Sequence, residues 1–223
     1  NNAVKVLKSK EEAEIERILF ELSATAGGYA QNIINSYYIA TQLDVIFAKA
    51  SLAYKMKASM PIMNDLGIIN LNKARHPLID KDKVVPISVY LGEKFNSLVI
   101  TGPNTGGKTV TLKTIALFSL LNQAGFPVPA KDGTKLPIFN SVFADIGDEQ
   151  SIAQSLSTFS SHMRTIVDVV AQCDDRTLVL FDELGAGTDP AEGAALATAI
   201  IEFCRKMGSH VVATTHYAEL KLY

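Results

Sequence analysis

The stretch VITGPNTGGKTVTLKT, residues 99–114, holds three glycines and several threonines between an apolar run and a segment of good helix formers. The apolar or β-branched residues 98–101 predict a short buried strand, and the apolar positions of residues 110–121 recur at helical spacing. The loop rich in glycine and threonine therefore joins a strand to a helix. This strand, loop and helix decide the fold class, since such a unit is typical of α/β proteins.

The loop also carries a phosphate-binding pattern. Gly102, Gly107, Lys108 and Thr109 match G-x-x-x-x-G-K-[ST], in which backbone N–H groups wrap a polyphosphate at a helix N-terminus. Lys108 then bridges the β- and γ-phosphates of ATP; the alternative is an exposed lysine at a helix end. The residues predicted to contact the nucleotide are Gly102, Pro103, Asn104, Thr105, Gly106, Gly107, Lys108 and Thr109.

A second pattern, an apolar strand that ends in two acids, provides the carboxylates that a phosphate-binding loop needs for hydrolysis. In TLVLFDE, residues 177–183, apolar residues bury a strand and Asp182 stands at its tip, where it can hold Mg²⁺ together with the Thr109 hydroxyl. Glu183 is placed to orient or deprotonate a water that attacks the γ-phosphate. The alternative is that two adjacent acids merely end a strand at a solvated edge. The two patterns together predict a nucleotide hydrolase.

Kinases share the glycine loop, so the sequence after Glu183 bears on the class. A phosphotransferase usually adds a basic lid, whereas LGAGTDPAEGAALATA, residues 184–199, is nearly free of basic residues. Hydrolysis is therefore favoured over phosphotransfer. Within this run Asp189 precedes a helical pattern, and its spacing alone is satisfied by a helix N-cap.

Two further stretches are candidates for phosphate contacts. SLSTFSSHM, residues 155–163, places five hydroxyls before a helix that runs through residues 166–170, so its start offers N–H groups and hydroxyls to an anion, or simply caps the helix. ATTHY ends a buried strand with His216, which either senses a γ-phosphate or is a hydrogen-bonded histidine at a strand end.

The rest of the chain divides into helical and mixed parts. Ser9 and Glu12 have capping-box spacing and predict a helix start, residues 27 and 28 break that helix, and residues 29–57 predict a long second helix. Residues 67–72 and 86–91 alternate as strands and predict a small antiparallel sheet. We assign residues 1–60 to a helical lever or arm, and 61–223 to a nucleotide-binding domain.

Beyond the loop, short β-rich runs alternate with helical patterns. This order predicts a mostly parallel sheet flanked by helices, with its ligand at the carboxyl ends of the strands. The rule places the glycine loop, the two acids and His216 on one edge of the sheet. The β-rich runs are residues 141–146, 177–183 and 210–216.

Composition excludes several classes of protein. With 48% hydrophobic and 20% charged residues and a net charge of −2, the chain is neither disordered nor broadly basic. Cys173 and Cys204 lack C-x-x-C spacing and fit reduced core thiols. No apolar run has the length of a membrane span and no secretory signal is present, so we expect a cytoplasmic protein without membrane partners. The missing start methionine and the end just after a strand predict a fragment truncated at its C-terminus.

Four of these stretches occur in an order that resembles a known family. TGPNTGGKT, STFSSHM, LVLFDELGAGTDP and ATTHY are similar to the ATPase domain of the MutS family, within the ABC-type P-loop ATPases. FADIGDEQSIAQSLSTFSSHM, together with the glycine loop, looks most like the second MutS subfamily, the endonucleases, and LDVIFAKASLAYKMKA resembles the end of its helical lever. The resemblance covers essentially the whole chain.

The resemblance implies a homodimer that binds ATP at its interface. The signature segment 157–161, with Ser157 and Ser160, then completes the phosphate site of the other subunit. It also implies that His216 is the switch histidine, Asp189 lies in the D-loop and Gln150 in the Q-loop. The subfamily is associated with branched DNA, restraint of recombination and rescue of collided ribosomes, and its nuclease domain would lie outside this chain.

Two rival functions differ from this reading. The first is a mismatch-recognition MutS, against which Thr105 and Thr109 argue, because that branch typically has Met and Ser there. The second is a binding or scaffold module with structural nucleotide and negligible turnover, against which Glu183 argues. His76, in the family-like segment ARHPLI, has no derived role, and no residue is identified as the adenine contact.

Overall fold

The computed structural model describes residues 2–103, 106–147, 155–217 and 220, with no side chains described for residues 155–161. The chain divides into two compact units, Asn1–Ser51 and Leu52–Tyr223. The functional division into residues 1–60 and 61–223 stays a prediction.

The amino-terminal part is helical. Helix α1 spans Asn2–Gly28 and helix α2 spans Ala30–Met56, so the predicted break at the glycine pair is confirmed. The predicted start at Ser9 is wrong: α1 begins seven residues earlier, because the preceding AVKVLK segment contains no helix breaker. Large apolar side chains on these helices are exposed, among them Phe20 and Tyr37, each at 75%.

The second unit contains a small mixed sheet. Its strands are β1 (Ile62–Asn64), β2 (Ile69–Ala74), β3 (Ile87–Leu91) and, later in the chain, β5 (Lys135–Pro137), in the order β1-β5-β2-β3. The predicted strands β2 and β3 pair antiparallel, as expected. The sheet as a whole is mixed rather than antiparallel, because β1 pairs parallel with β5. These two strands have three residues each, which leaves no alternation to detect in the sequence.

A four-stranded parallel sheet forms the centre of this unit. Its strands are β4 (Ser97–Thr101), β6 (Ser141–Asp145), β7 (Thr177–Phe181) and β8 (His210–Thr215), and the helices of the unit are α3 (Lys108–Gln123), α4 (Ser155–Gln172) and α5 (Pro190–Lys206). The strands lie in the order β4-β8-β7-β6, and every neighbouring pair is parallel, as the sequence predicts. The α/β class is thereby confirmed.

Alternating side chains of the central strands build two cores. Leu178 and Leu180 of β7 pack in a cluster with residues of α3 and the small sheet, whereas Val179 and Phe181 face a cluster with residues of α4 and α5. All five residues of β7 are buried, as expected for a parallel strand covered on both faces. These two cores fix the positions at which the strands end, and therefore the position of the site.

Three buried titratable side chains among the described residues of this unit lie away from the carboxyl edge of the parallel sheet. Cys173 and Cys204 are free, buried thiols, which confirms the prediction of core cysteines; burial and the neighbouring Cys173 raise the pKa of Cys204 to about 12. At the start of β8, His210 is 5% exposed and packs edge-on against Phe139, with ring centroids 5.3 Å apart. No described residue gives its ring nitrogens a hydrogen bond of standard geometry.

Candidate functional site at the carboxyl edge of the parallel sheet

The carboxyl ends of three adjacent strands bring the predicted site residues together. Thr101 of β4 pairs with Thr215 of β8, and Phe181 of β7 pairs with Ala213 of β8. The residues that follow each strand, namely the glycine loop, Asp182 with Glu183, and His216, therefore lie at one edge of the sheet. The sequence expectation for their placement is met, because parallel strands end at the same edge.

The loop after β4 delivers the start of helix α3 to this edge. Gly107 precedes the helix in the left-handed conformation (φ 76°), which glycine adopts without steric cost, and no described side chain caps the first turn. The backbone N–H groups of that turn lack partners within the helix and favour an anion. Asn104 and Thr105 lie outside the described residues.

Lys108, the first residue of α3, is 5% exposed. Its ammonium donates to the carbonyl of Gly102 at 2.5 Å and lies 3.3 Å from Nδ1 of His216. Nε2 of His216 lies 3.0 Å from Oε1 of Glu183. Because Nδ1 faces a donor and Nε2 faces a carboxylate, the neutral tautomer with its hydrogen on Nε2 satisfies both contacts. Three distant chain segments thus share one polar network.

The two acids are held differently. Asp182 is 7% exposed, and its Oδ1 accepts a hydrogen bond from the Thr214 hydroxyl at 2.5 Å. Glu183 is one of the few described non-glycine residues with a positive φ, at 52°, and its N–H donates to the same hydroxyl at 2.8 Å. Sequence reasoning missed Thr214, although two consecutive threonines at the carboxyl end of an apolar run were a signal.

A tight loop follows Glu183. Gly185 and Gly193 approach so closely that a Cβ on either would collide with the backbone of the other, and the Tyr217 hydroxyl donates to the Gly185 carbonyl at 2.7 Å. Asp189 is the N-cap of α5, accepting from the N–H groups of Ala191 and Glu192. The N-cap interpretation of Asp189 is therefore confirmed, and its D-loop role stays a prediction.

The hydroxyl-rich segment differs from expectation. Helix α4 already includes residues 155–163, so the prediction that these hydroxyls precede the helix is wrong, and only the first of them lie in its first turn. The side chains of Ser157 and Ser160, and all of Gln150, are outside the described residues. Further along α4, Nδ1 of His162 contacts both oxygens of Asp145, at 2.8 and 2.9 Å, and so ties α4 to the end of β6.

His76 lies apart from this network. Its Nδ1 accepts a long hydrogen bond of 3.3 Å from the Leu78 N–H, within its own turn. Partial burial, together with the charge of Lys113, lowers the pKa of His76 below its ordinary value. No described contact links His76 to the acids or to Lys108, and its role stays unassigned.

The donors at this edge fit a magnesium–nucleotide complex. A buried ammonium stands at an uncapped helix start, where phosphate oxygens find cation and N–H donors together. A buried carboxylate and the half-buried Thr109 at the same edge are the hard oxygen donors that Mg²⁺ prefers. Glu183, connected to His216, adds a carboxylate that can accept a proton.

This combination defines the class: an α/β domain that gathers a helix-start lysine, two acids and a histidine at the carboxyl edge of a parallel sheet. The family model described as MutS domain V matches residues 98–223, which contain all of these groups. The chain belongs to the MutS family.

Several relatives that are similar over the whole chain share one name. The chain is 59% identical over 223 residues to a protein named Endonuclease MutS2 from Caldicellulosiruptor bescii, and 57% identical to one from Acetivibrio thermocellus. A protein of that name from a Geobacillus species is also 59% identical. Each alignment covers 100% of this chain and 28% of the relative, so the chain spans little more than a quarter of these proteins.

Proposed function

We propose that this chain binds ATP with Mg²⁺ and hydrolyses it, as the ABC-type P-loop ATPase domain of a MutS2-type protein. The observation that carries the proposal is the network from Gly102 through Lys108 and His216 to Glu183, which joins the glycine loop, a helix start and two strand ends. Membership of the MutS family and the similarity to proteins named Endonuclease MutS2 support it.

Each residue has a defined task in this proposal. The Lys108 ammonium exchanges the Gly102 carbonyl for phosphate oxygens, and the N–H groups of the glycine loop and of the first turn of α3 bind the remaining oxygens. Thr109 and Asp182 hold Mg²⁺, which when bound neutralises charge on the β- and γ-phosphates. Asn104 and Thr105 belong to the same proposed loop, outside the described residues.

Hydrolysis is assigned to Glu183 and His216. The Glu183 carboxylate orients a water and accepts its proton, and His216 senses the γ-phosphate through Lys108, which its Nδ1 faces. With its hydrogen on Nε2, His216 holds Glu183 in place while its Nδ1 faces Lys108. This arrangement favours hydrolysis over a scaffold in which bound nucleotide has only a structural role, because a scaffold needs no base beside the lysine.

The working assembly is proposed as a homodimer. Ser157 and Ser160 in the first turns of α4 would bind the γ-phosphate held by the other subunit. Nucleic acid, either branched DNA or the RNA of stalled ribosomes, would be bound mainly by the parts of the longer protein outside this chain, and any nuclease activity would reside there too.

The predicted cytoplasmic location is retained as a proposal. None of the helices in the described ranges combines the length and the hydropathy of a membrane span.

The test is binding of a fluorescent ATP analogue to Lys108→Ala. We expect binding to be abolished, because the variant loses the cation that contacts the phosphates. The matched control is Lys113→Ala, which removes an exposed lysine from the same helix and should bind as the parent does. Unchanged affinity in Lys108→Ala, with native circular dichroism, would contradict the proposed site.

A further inference from the structure

A single buried threonine contacts three consecutive residues at the end of β7. Thr214 is 0% exposed. Its hydroxyl donates to Oδ1 of Asp182 and accepts from the N–H of Glu183, and its carbonyl accepts from the N–H of Leu184 at 3.0 Å. Both acids assigned to the proposed ATPase are therefore held by one side chain on a neighbouring strand.

The register of the sheet explains this contact. Phe181 pairs with Ala213, so the next residues, Asp182 just after β7 and Thr214 within β8, lie side by side. A threonine hydroxyl has one hydrogen to donate and lone pairs to accept, and here it uses both functions at once. Valine, which has nearly the same shape, can do neither.

We propose that Thr214 is a positioning residue for both acids, an inference that rests on the proposed ATPase function. The bond to Oδ1 fixes the rotation of the Asp182 carboxylate, which in the proposed site holds Mg²⁺. The bond from the Glu183 N–H satisfies the one backbone donor of a residue held at a positive φ, and so stabilises the turn that directs the Glu183 carboxylate to His216.

Loss of the hydroxyl affects two functions together. Without it, a buried carboxylate oxygen and a backbone N–H lose their partner, and both groups shift to find another. Partners that orient metal ligands typically change metal affinity or activity by about 10–100-fold when removed. A purely structural threonine would instead change stability and leave the magnesium requirement of turnover as it was.

The experiment compares Thr214→Val with Thr214→Ser. For Thr214→Val we expect kcat to fall about 10–100-fold and half-maximal turnover to require several-fold more Mg²⁺, while the affinity for a fluorescent ATP analogue without Mg²⁺ stays within about twofold. Thr214→Ser keeps the hydroxyl and should restore both values to within about threefold of the parent. The matched control, Thr114→Val, removes a buried hydroxyl bonded only to the Val110 carbonyl in the described structure.

A second readout needs no nucleotide. Hydrogen exchange at the Glu183 amide should accelerate at least tenfold in Thr214→Val and stay near the parental rate in Thr214→Ser, since only valine removes the acceptor. Should Thr214→Val fail to fold, Thr214→Ala makes the same comparison with serine.

Three results would overturn the inference: a folded Thr214→Val with parental kcat and magnesium requirement, a serine variant as defective as valine, or unchanged amide exchange. Failure of the proposed function gives a different result, namely a parent protein that neither binds nor hydrolyses Mg-ATP.

Discussion

Glu183 occupies a conformation that costs free energy, and replacing it tests this directly. Its φ of 52° is in the left-handed region, where a side chain with a Cβ costs about 1–2 kcal/mol relative to the right-handed region. Glycine avoids that cost, but its greater freedom in the unfolded chain destabilises the fold by about 0.5–1 kcal/mol relative to alanine. The difference favours glycine at this position by about 0–1.5 kcal/mol, with a midpoint of about 0.75 kcal/mol.

The comparison is therefore Glu183→Gly against Glu183→Ala. Both variants lose the contact with His216 at 3.0 Å, so that loss cancels between them and only the backbone effect remains. We expect Glu183→Gly to unfold at the higher urea concentration, with Glu183→Asn between the two, because asparagine tolerates the left-handed region. The chain has no tryptophan, so unfolding is followed by circular dichroism.

Lys113 supplies the control, since it is exposed in the middle of α3, where alanine is the better residue. Lys113→Ala should be more stable than Lys113→Gly by about 1 kcal/mol, the reverse of the order at Glu183. If Glu183→Ala equals or exceeds Glu183→Gly in stability, the backbone at Glu183 is not strained and the reasoning is refuted. If Glu183→Gly is the more stable variant, the backbone conformation at Glu183 lowers the free energy of unfolding of the parent protein, which nevertheless has a glutamate at this position.

Three further predictions concern turnover, pH and assembly. Glu183→Gln should keep ATP affinity but lower the turnover rate about a hundredfold or more, and equal rates in variant and parent would place the base elsewhere. Burial lowers the pKa of His210, opposed only in part by the neighbouring Gly67 backbone, so the folded protein keeps this ring neutral to a lower pH than the unfolded chain does. The unfolded chain binds the proton below about pH 6.5, so the free energy of unfolding should decrease as the pH falls below that value, by up to about 1.4 kcal/mol per pH unit. In urea titrations at about pH 5.5–7.5, His210→Phe should have a flatter dependence of this free energy on pH. An unchanged slope in the variant would contradict the prediction. In sedimentation, Glu183→Gln should dimerise only with Mg-ATP, and bulky residues at Ser157 and Ser160 should prevent it; a mass independent of ATP would exclude the composite site.

The central sheet could be predicted from the sequence because its physical causes are local. Buried parallel strands read as apolar runs, and the helices between them have a separate period, so β4, β7 and β8 were located to within a residue or two. The edge at which their loops meet followed from the parallel order alone. The short strands β1 and β5 were missed, because three residues carry no period and their pairing joins segments about 70 residues apart.

The contacts within the site depended on facts that no single stretch contains. The register of β7 on β8 decides that Thr214 faces Asp182, and a shift of one residue would turn its hydroxyl to the other face of the sheet. The N-cap role of Asp189, by contrast, is local, and the sequence offered it as one of two interpretations because a helical pattern follows this residue. The hydroxyl-rich segment was assigned to the wrong side of a helix start, since serine and threonine favour caps but do not exclude a helical turn.

The contacts of Lys108 define what a ligand must exchange. Its ammonium donates to Gly102 and faces Nδ1 of His216, so a buried charge is not left without partners. In the proposed site, binding of a nucleotide exchanges partners of Lys108, these two neutral acceptors among them, for phosphate oxygens, and hydrogen bonds to charged oxygens are stronger than those to neutral acceptors. When Lys108 turns toward phosphate, His216 loses the donor at Nδ1 while Nε2 keeps Glu183. If Lys108 binds the nucleotide as proposed, it thus changes the surroundings of the histidine that holds the proposed base, and this contact would connect binding to hydrolysis.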